Sequence, residues 1–245
     1  MANLYLREEL ADATVGGEVV LEGAEAKHMV SVSRTRTGDE VAVSNGRGLV
    51  VDGVVEAAEP ARAVVRVVAV RDIPAPSPRL VLVQALAKGG RDELAVQTAV
   101  ELGVDAIIPW QAARSVSRWV GDKQRKGVER WSSIVREATK QSVRAWLPTV
   151  EDPATTAQLA LRATTGRMLV LEPSAVVPLS GMRVEPSDTR DVVLVVGPEG
   201  GIAPEESERL VAAGAASVRL GDSVLRTSSA GPAAIAVLNG ILGRW

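Results

Sequence analysis

The chain has 245 residues, a formal net charge of −2, 46% hydrophobic and 24% charged residues, and no cysteine. That is enough chain for one large α/β domain or two smaller cores, and it excludes disulfides, thiolate catalysis and cysteine-based metal sites. No apolar run reaches the roughly 18–20 residues that cross a bilayer. The opening MANLYLREEL has acids where a signal peptide needs an apolar stretch, so a cytoplasmic location is expected. With no Phe and one Tyr, the composition argues against rows of aromatics that stack single-stranded bases.

The first seventy residues read as short strands. EVVLE, EVAVS, LVVDGVVEAA and RAVVRVVAV are rich in β-branched residues, and Asn45-Gly46 and Asp52-Gly53 are turn signals. A short helical stretch, AEAKHMVSV, interrupts them. RDIPAPSPRL (71–80) then alternates three prolines, which neither a helix nor a central strand accommodates. These features predict a β-barrel-like module over 1–71, a linker over 72–79 and a second domain over 80–245.

Beyond the linker, strands and helices alternate. LVLVQAL predicts a strand. RDELAVQTAVELG predicts a helix with Leu94, Val96, Ala99, Val100 and Leu102 apolar and a stop at Gly103. DAIIPW is the next strand, and KGVERWSSIVREATKQSV a long helix with Val128, Trp131, Ile134, Val135 and Ala138 as its stripe. RMLVLEP and DVVLVVGPEGG are wholly apolar, as strands buried on both faces are. PEESERLVAAG is a helix with Pro204 in its first turn and Gly214 at its end; ASVRLG is a strand and SSAGPAAIAVLNGIL a final helix. Repeated βα units imply a mainly parallel sheet covered on both sides.

Charge is unevenly spread. Between Arg114 and Arg144 nine bases face three acids, an excess of six inside an acidic protein. Such a segment is either a solvated helix face or a surface for an anionic partner such as nucleic acid.

Candidate site residues cluster at strand ends, where open α/β sheets bind ligands. Val195–Glu206 reads VVGPEGGIAPEE: a buried strand gives way to a loop with almost no side chains, so that a ligand can approach the backbone. The acids Glu205 and Glu206 suit the helix dipole and disfavour phosphate there; neither dinucleotide nor P-loop glycine patterns occur. A second end is Leu171-Glu172-Pro173. A third is Leu220-Gly221 and the polar loop to Leu225-Arg226-Thr227, with Ser228 and Ser229 as helix caps.

VGPEGG followed by LGDSVLRTSSA resembles the motifs of SPOUT methyltransferases, and specifically the RsmE family of 16S rRNA uridine-N3 methyltransferases. ALAKGGRDELAVQTAVELGVDAIIPWQAARSV and RWSSIVREATKQSVR are similar to the same family, and KHMVSVSRTRTGDEV more loosely to its PUA-like RNA-binding domain. The chain departs from the usual pattern at Ser228, where an acid is usual, at Lys140-Gln141-Ser142, at Ser33-Arg34 and at Ala203.

The resemblance implies a PUA-like β-barrel followed by a trefoil-knotted SPOUT domain, α/β with a mainly parallel sheet. It implies a homodimer with the site near its interface. The implied activity is methylation of a uridine N3 in 16S rRNA, in the decoding region of the 30S subunit, with S-adenosylmethionine as donor and no metal. Expected cofactor residues are Leu171, Glu172, Gly197, Pro198, Glu199, Gly200, Leu220, Gly221, Val224, Leu225 and Thr227. Arg114 and Arg226 are the catalytic candidates, as cations for the uracil anion. His28, the one histidine, is expected to have a structural or RNA-contact role, and the five tryptophans to serve core or interface packing. Two rivals are a non-catalytic RNA-binding or ribosome-assembly protein with the same fold, and an α/β enzyme on another nucleotide-like ligand.

Overall fold

A computed structural model describes residues 3–185 and 187–245. Met1, Ala2 and Pro186 lie outside the described residues, and so does the expected start of the first domain at residue 1. By internal contacts the chain forms two compact units, Met1–Ala75 with Thr139–Leu147, and Pro76–Ala138 with Pro148–Trp245.

The first unit is a curled five-stranded mixed sheet, a half-barrel. Its strands are β1 (Asn3–Leu6), β2 (Glu18–Glu22), β3 (Glu40–Ser44), β4 (Leu49–Glu59) and β5 (Arg62–Asp72), in the order β1-β3-β4-β5-β2. A short helix α1 (Gly23–Lys27) and a π turn (His28–Val32) lie between β2 and β3. Tyr5, Leu21, Met29, Val43, Val51 and Val65 fill the core. Asn45-Gly46 does fall in the β3–β4 connection, but Asp52-Gly53 is no turn. Both residues lie inside β4, where the register shifts against β5. A Cβ on Gly53 would come within 2.4 Å of the Arg66 carbonyl, so glycine marks a bulge where two backbones approach.

Residues 139–147 join this unit through particular bonds. Ser44 Oγ donates to the Ala145 carbonyl (3.2 Å), Trp146 Nε1 to the Ile73 carbonyl (2.9 Å), and buried Lys140 pairs with Glu25 at 3.4 Å.

The second unit is built on six parallel strands. They are β6 (Leu80–Ala85), β7 (Ala106–Trp110), β8 (Thr149–Val150), β9 (Arg167–Leu171), β10 (Val192–Val196) and β11 (Ala216–Val218), in the order β11-β9-β10-β6-β7-β8. β10 lies between β9 and β6 and every residue of it is buried, which is why its sequence is an unbroken aliphatic run. Alternate residues serve opposite faces. Val81, Val83, Val193 and Val195 pack with Leu159 of α4 (Thr156–Ala163) and Leu210 of α5 (Pro204–Ala212). Leu82 and Val196 face α6 (Thr227–Ile241) at Gly231. α6 packs in turn on α2 (Arg91–Glu101), and α3 (Asp122–Gln141) follows β7.

Several local expectations change. Leu94 of α2 is 53% exposed, and the buried face is Ala95, Val96, Ala99 and Val100 with Asp92. α6 begins at Thr227 after Arg226, so Ser228 and Ser229 lie within its first turn and cap nothing. β1, β8 and α4 went unpredicted. Trp110 and Trp131 are buried, whereas Trp245 is exposed.

Candidate functional site

Parallel strands β11, β9 and β10 are neighbours, so their carboxyl ends converge. A cleft of about 550 Å³ opens there, wholly within the second unit. Ten of the eleven expected cofactor residues line it: Leu171, Glu172, Gly197, Pro198, Glu199, Leu220, Gly221, Val224, Leu225 and Thr227. The exception is Gly200. A Cβ there would sit 3.4 Å from Arg114 Cβ, so Gly200 faces Arg114, and Gly201 and Ile202 take its place on the wall.

The glycine loop is shaped by its own backbone. Gly201 N–H bonds the Pro198 carbonyl at 2.9 Å, closing a turn that leaves Gly201 at φ 71°, a conformation side chains resist. At Gly197 a Cβ would meet Ile202 Cγ1 at 2.7 Å and the Ile202 nitrogen at 3.1 Å. Two further residues tie the loop to its surroundings. Thr227 Oγ1 donates to the Gly197 carbonyl (2.7 Å) and accepts from Gln84 Nε2 (3.0 Å). Glu199 accepts from Arg91 (2.9 Å) and from the Lys88 N–H (3.2 Å). Burial alone pushes the Glu199 carboxyl up, but the hydrogen bonds from its own N–H, Arg91 and Lys88 outweigh it and hold the group below the usual glutamate range.

The other expected carboxylate is structural in its contacts. Glu172 accepts hydroxyl protons from Ser207 (2.9 Å) and Ser217, which bind the end of β9 to α5 and β11. Asp92 secures the loop before α2 by accepting the Ala87 N–H (3.0 Å), while burial raises its pKa.

The two arginine candidates are placed differently. Arg226 lines the cleft and forms no ion pair among the described residues. Arg114 does not line it; its guanidinium donates to the Gly200 carbonyl at 3.1 Å and lies 3.5 Å from the Ile202 carbonyl. Arg219, missed by sequence reasoning, lines the cleft and pairs with Asp222. Ile202, Arg91 and Gln84 were also missed; Ile202 stands in the glycine loop itself, and only the fold brings Arg91 and Gln84 to it. His28 lies in the first unit, edge-on to Tyr5 with ring centroids 6.3 Å apart. Among the described residues no group of three or more His, Asp or Glu could hold a metal, and no helix is long and apolar enough to cross a membrane.

The cleft lining matches an adenosyl ligand in chemical type. Leu171, Val196, Ile202 and Leu220 offer apolar surface for a flat ring, and glycine backbone offers donors and acceptors for its edges.

Comparison with known proteins adds three findings. The model of an RNA methyltransferase domain matches residues 74–239, and that of an RNA methyltransferase PUA domain matches residues 21–68. The chain is 38% identical to the ribosomal RNA small subunit methyltransferase E of Mycobacterium bovis, over 100% of this chain and 94% of that one. It is 30% identical to that of Bacillus subtilis, over 86% and 85%. Among solved structures, a ribosomal RNA small subunit methyltransferase E from Neisseria gonorrhoeae bound to S-adenosyl methionine superposes with a TM-score of 0.86, at 28% identity, over 98% of each chain.

Proposed function

The chain belongs to the RNA methyltransferase family that contains the ribosomal RNA small subunit methyltransferases E, and from that premise we propose that it methylates N3 of a uridine in 16S rRNA, using S-adenosylmethionine. The observation that carries this reading is the cleft itself, where three adjacent parallel strand ends bring ten of the expected residues around one space. Leu171, Gly197, Leu220, Gly221 and Leu225 would hold the adenosyl part, and S-adenosylmethionine would supply a methyl group activated by its sulfonium.

The chain's own task is then the uracil. N3 carries a proton, and with a pKa about two to three units above neutral its removal costs ~3–4 kcal/mol at pH 7. A cation held near O2 or O4 in the bound complex recovers much of that, since such donors are worth roughly 3–4 kcal/mol. Arg226 fits this role best, being on the cleft and free of ion pairs among the described residues. Solvent or a backbone group takes the proton. Arg114, the other candidate, has its guanidinium engaged at Gly200.

Partner readings follow from the surface. On α3, Lys123 and Lys126 are exposed and enter no ion pair among the described residues, whereas Arg125 and Arg130 are paired with Glu129 and Glu93. The free pair suits phosphate contact with RNA of the 30S subunit. Ala233, Ala236, Val237 and Ile241 form a half-buried stripe along α6 at helical spacing, opposite its buried face. A second copy of the chain would cover it, giving the homodimer. The trefoil threading and the cytoplasmic location belong to the same reading.

The deciding experiment is calorimetric titration with S-adenosylmethionine, followed by mass mapping of 16S rRNA after incubation with 30S particles. Stoichiometric binding and one added methyl on a uridine are expected. No binding, or a methyl on another base, overturns the reading.

A further inference from the structure

Glu206 lies in the first turn of α5, where an acid ordinarily sits in solvent beside the helix dipole. It does not sit there. The residue is 8% exposed, while its neighbour Glu205 is exposed. Its Oε1 accepts the Ala113 N–H at 3.0 Å and the Thr156 hydroxyl proton at 2.7 Å. The Thr156 hydroxyl in turn accepts from Trp110 Nε1 at 3.2 Å. Its Oε2 is buried with no hydrogen-bond partner among the described residues.

A half-satisfied buried carboxylate is expensive, and an apolar side chain would fill the space at less cost. What the carboxylate holds indicates why it is there. Ala113 directly precedes Arg114, and Arg114 donates to the Gly200 carbonyl, on the turn whose next two residues line the cleft. Glu206 therefore stands at the start of a chain of contacts: carboxylate to Ala113, Arg114 to Gly200, Gly201 and Ile202 to the cleft wall. It anchors the loop from beneath, while Thr227 and Arg91 hold it from the cleft side. All of these residues belong to the second unit.

We infer that Glu206 is a positioning residue for the methyl-donor site, acting through Arg114 on the glycine loop. The inference rests on the S-adenosylmethionine reading for its ligand, but not for its loop geometry. A carboxylate is required for its acceptor oxygen and not for its charge, because both bonds at Oε1 come from neutral donors. Glutamine at 206 keeps that oxygen; methionine keeps the length without it.

The test measures two quantities on the full chain, wild type against Glu206→Met, Glu206→Gln, Arg114→Met and the Glu206→Met/Arg114→Met pair. One is S-adenosylmethionine affinity by calorimetry. The other is amide hydrogen exchange at Gly201 in the free protein, which needs no ligand. Glu206→Met and Arg114→Met should each weaken binding about tenfold or more and speed Gly201 exchange. The double variant should be no worse than the weaker single, because both act through one contact path. Glu206→Gln should recover most of both losses. Losses that multiply in the double variant, or a folded Glu206→Met with wild-type affinity and exchange, overturn the inference. If Glu206→Met does not fold, exposed Arg114 decides: wild-type exchange and affinity in Arg114→Met overturn it equally. If wild type itself fails to bind S-adenosylmethionine, the ligand reading falls, and the exchange rates still judge the positioning role.

Discussion

The two loops that wall the cleft are built on opposite plans. Pro198–Ile202 is fixed on every side: a closed turn at Gly201, a Thr227 hydroxyl on the Gly197 carbonyl, an Arg91–Glu199 pair, and Arg114 on Gly200. Gly221–Arg226 is exposed throughout, and between Gly221 and Leu225 no backbone group bonds another among the described residues. Its one ion pair, Arg219 with Asp222, has an acid that is 95% exposed. The difference assigns labour. The fixed wall presents backbone groups already aimed, so little ordering remains to be done there on binding. The open wall must lose conformational freedom when a ligand arrives, and its side chains act on that ligand with few structural duties. Substitutions in the first wall should therefore damage the fold and the site together. Substitutions in the second should damage function alone.

The largest expected effect falls on the open wall. Arg226→Ala should lower single-turnover methylation by about 10²–10³-fold, the typical worth of one donor to a developing anion. S-adenosylmethionine affinity and the unfolding midpoint should not move, since the side chain forms no hydrogen bond or ion pair among the described residues. Raising the pH should restore part of the rate, because more of the uracil is then ionised without help. Rates measured across pH check this; a variant that loses 30S affinity while keeping the chemical step would make Arg226 an RNA contact.

Next comes the fixed wall. Gly197→Val places a branched side chain where a Cβ alone would stand 2.7 Å from Ile202 Cγ1. The backbone must shift, at about 1–3 kcal/mol of stability, and the cleft must change shape with it. Urea unfolding and calorimetry should show both losses in one protein. Wild-type stability with lost binding would mean that the wall is looser than its bonds suggest.

Gly221→Val is the matching change on the open side. A Cβ there meets nothing within 4 Å, and the residue has no left-handed backbone to strain. Stability should stay within about 0.5 kcal/mol of wild type, as for ordinary surface changes. The new side chain nevertheless occupies cleft space, and affinity for S-adenosylmethionine should fall at least tenfold, about 1.4 kcal/mol. Unchanged affinity would place the ligand away from this wall.

This division also explains what could be read before folding. The glycine loop and the Leu220–Thr227 loop were legible because their composition breaks abruptly from the strands before them. The strands β9 and β10 were legible because burial on both faces erases alternation. Gly200 does not line the cleft, because a glycine signals close approach without saying to what; here the neighbour is Arg114. Asp52-Gly53 misled for the same reason, as a bulge and a hairpin both ask for glycine. Helix α4 did announce itself. Thr155 and Gln158 form a reciprocal capping box, with Gln158 N–H on the Thr155 hydroxyl at 3.3 Å and Thr155 N–H on the Gln158 side chain at 2.8 Å. The pattern Thr-x-x-Gln marks that start in the sequence. Glu206 and Gln84 could not have been found, since their partners lie far along the chain, at Ala113 and Thr227.

The smallest effect concerns acid and the fixed wall alone. In the folded protein the Glu199 carboxyl lies below its ordinary value, burial opposing and hydrogen bonds prevailing. A depressed carboxylate contributes stability that is complete above its unfolded value, about 4.3 for glutamate, and that disappears as pH falls through the folded value beneath it. Wild type and Glu199→Gln should therefore differ in urea midpoint by a constant amount above about pH 5, and the difference should close only in stronger acid. Asp92 has the opposite tendency, since burial raises its carboxyl; because it is common to both proteins, it cancels in the comparison. A gap that closed between about pH 5 and pH 7 would mean a raised carboxyl. The Arg91 and Lys88 contacts would then be too weak to fix the loop, and the contrast between the two walls would fail at its best-tied point.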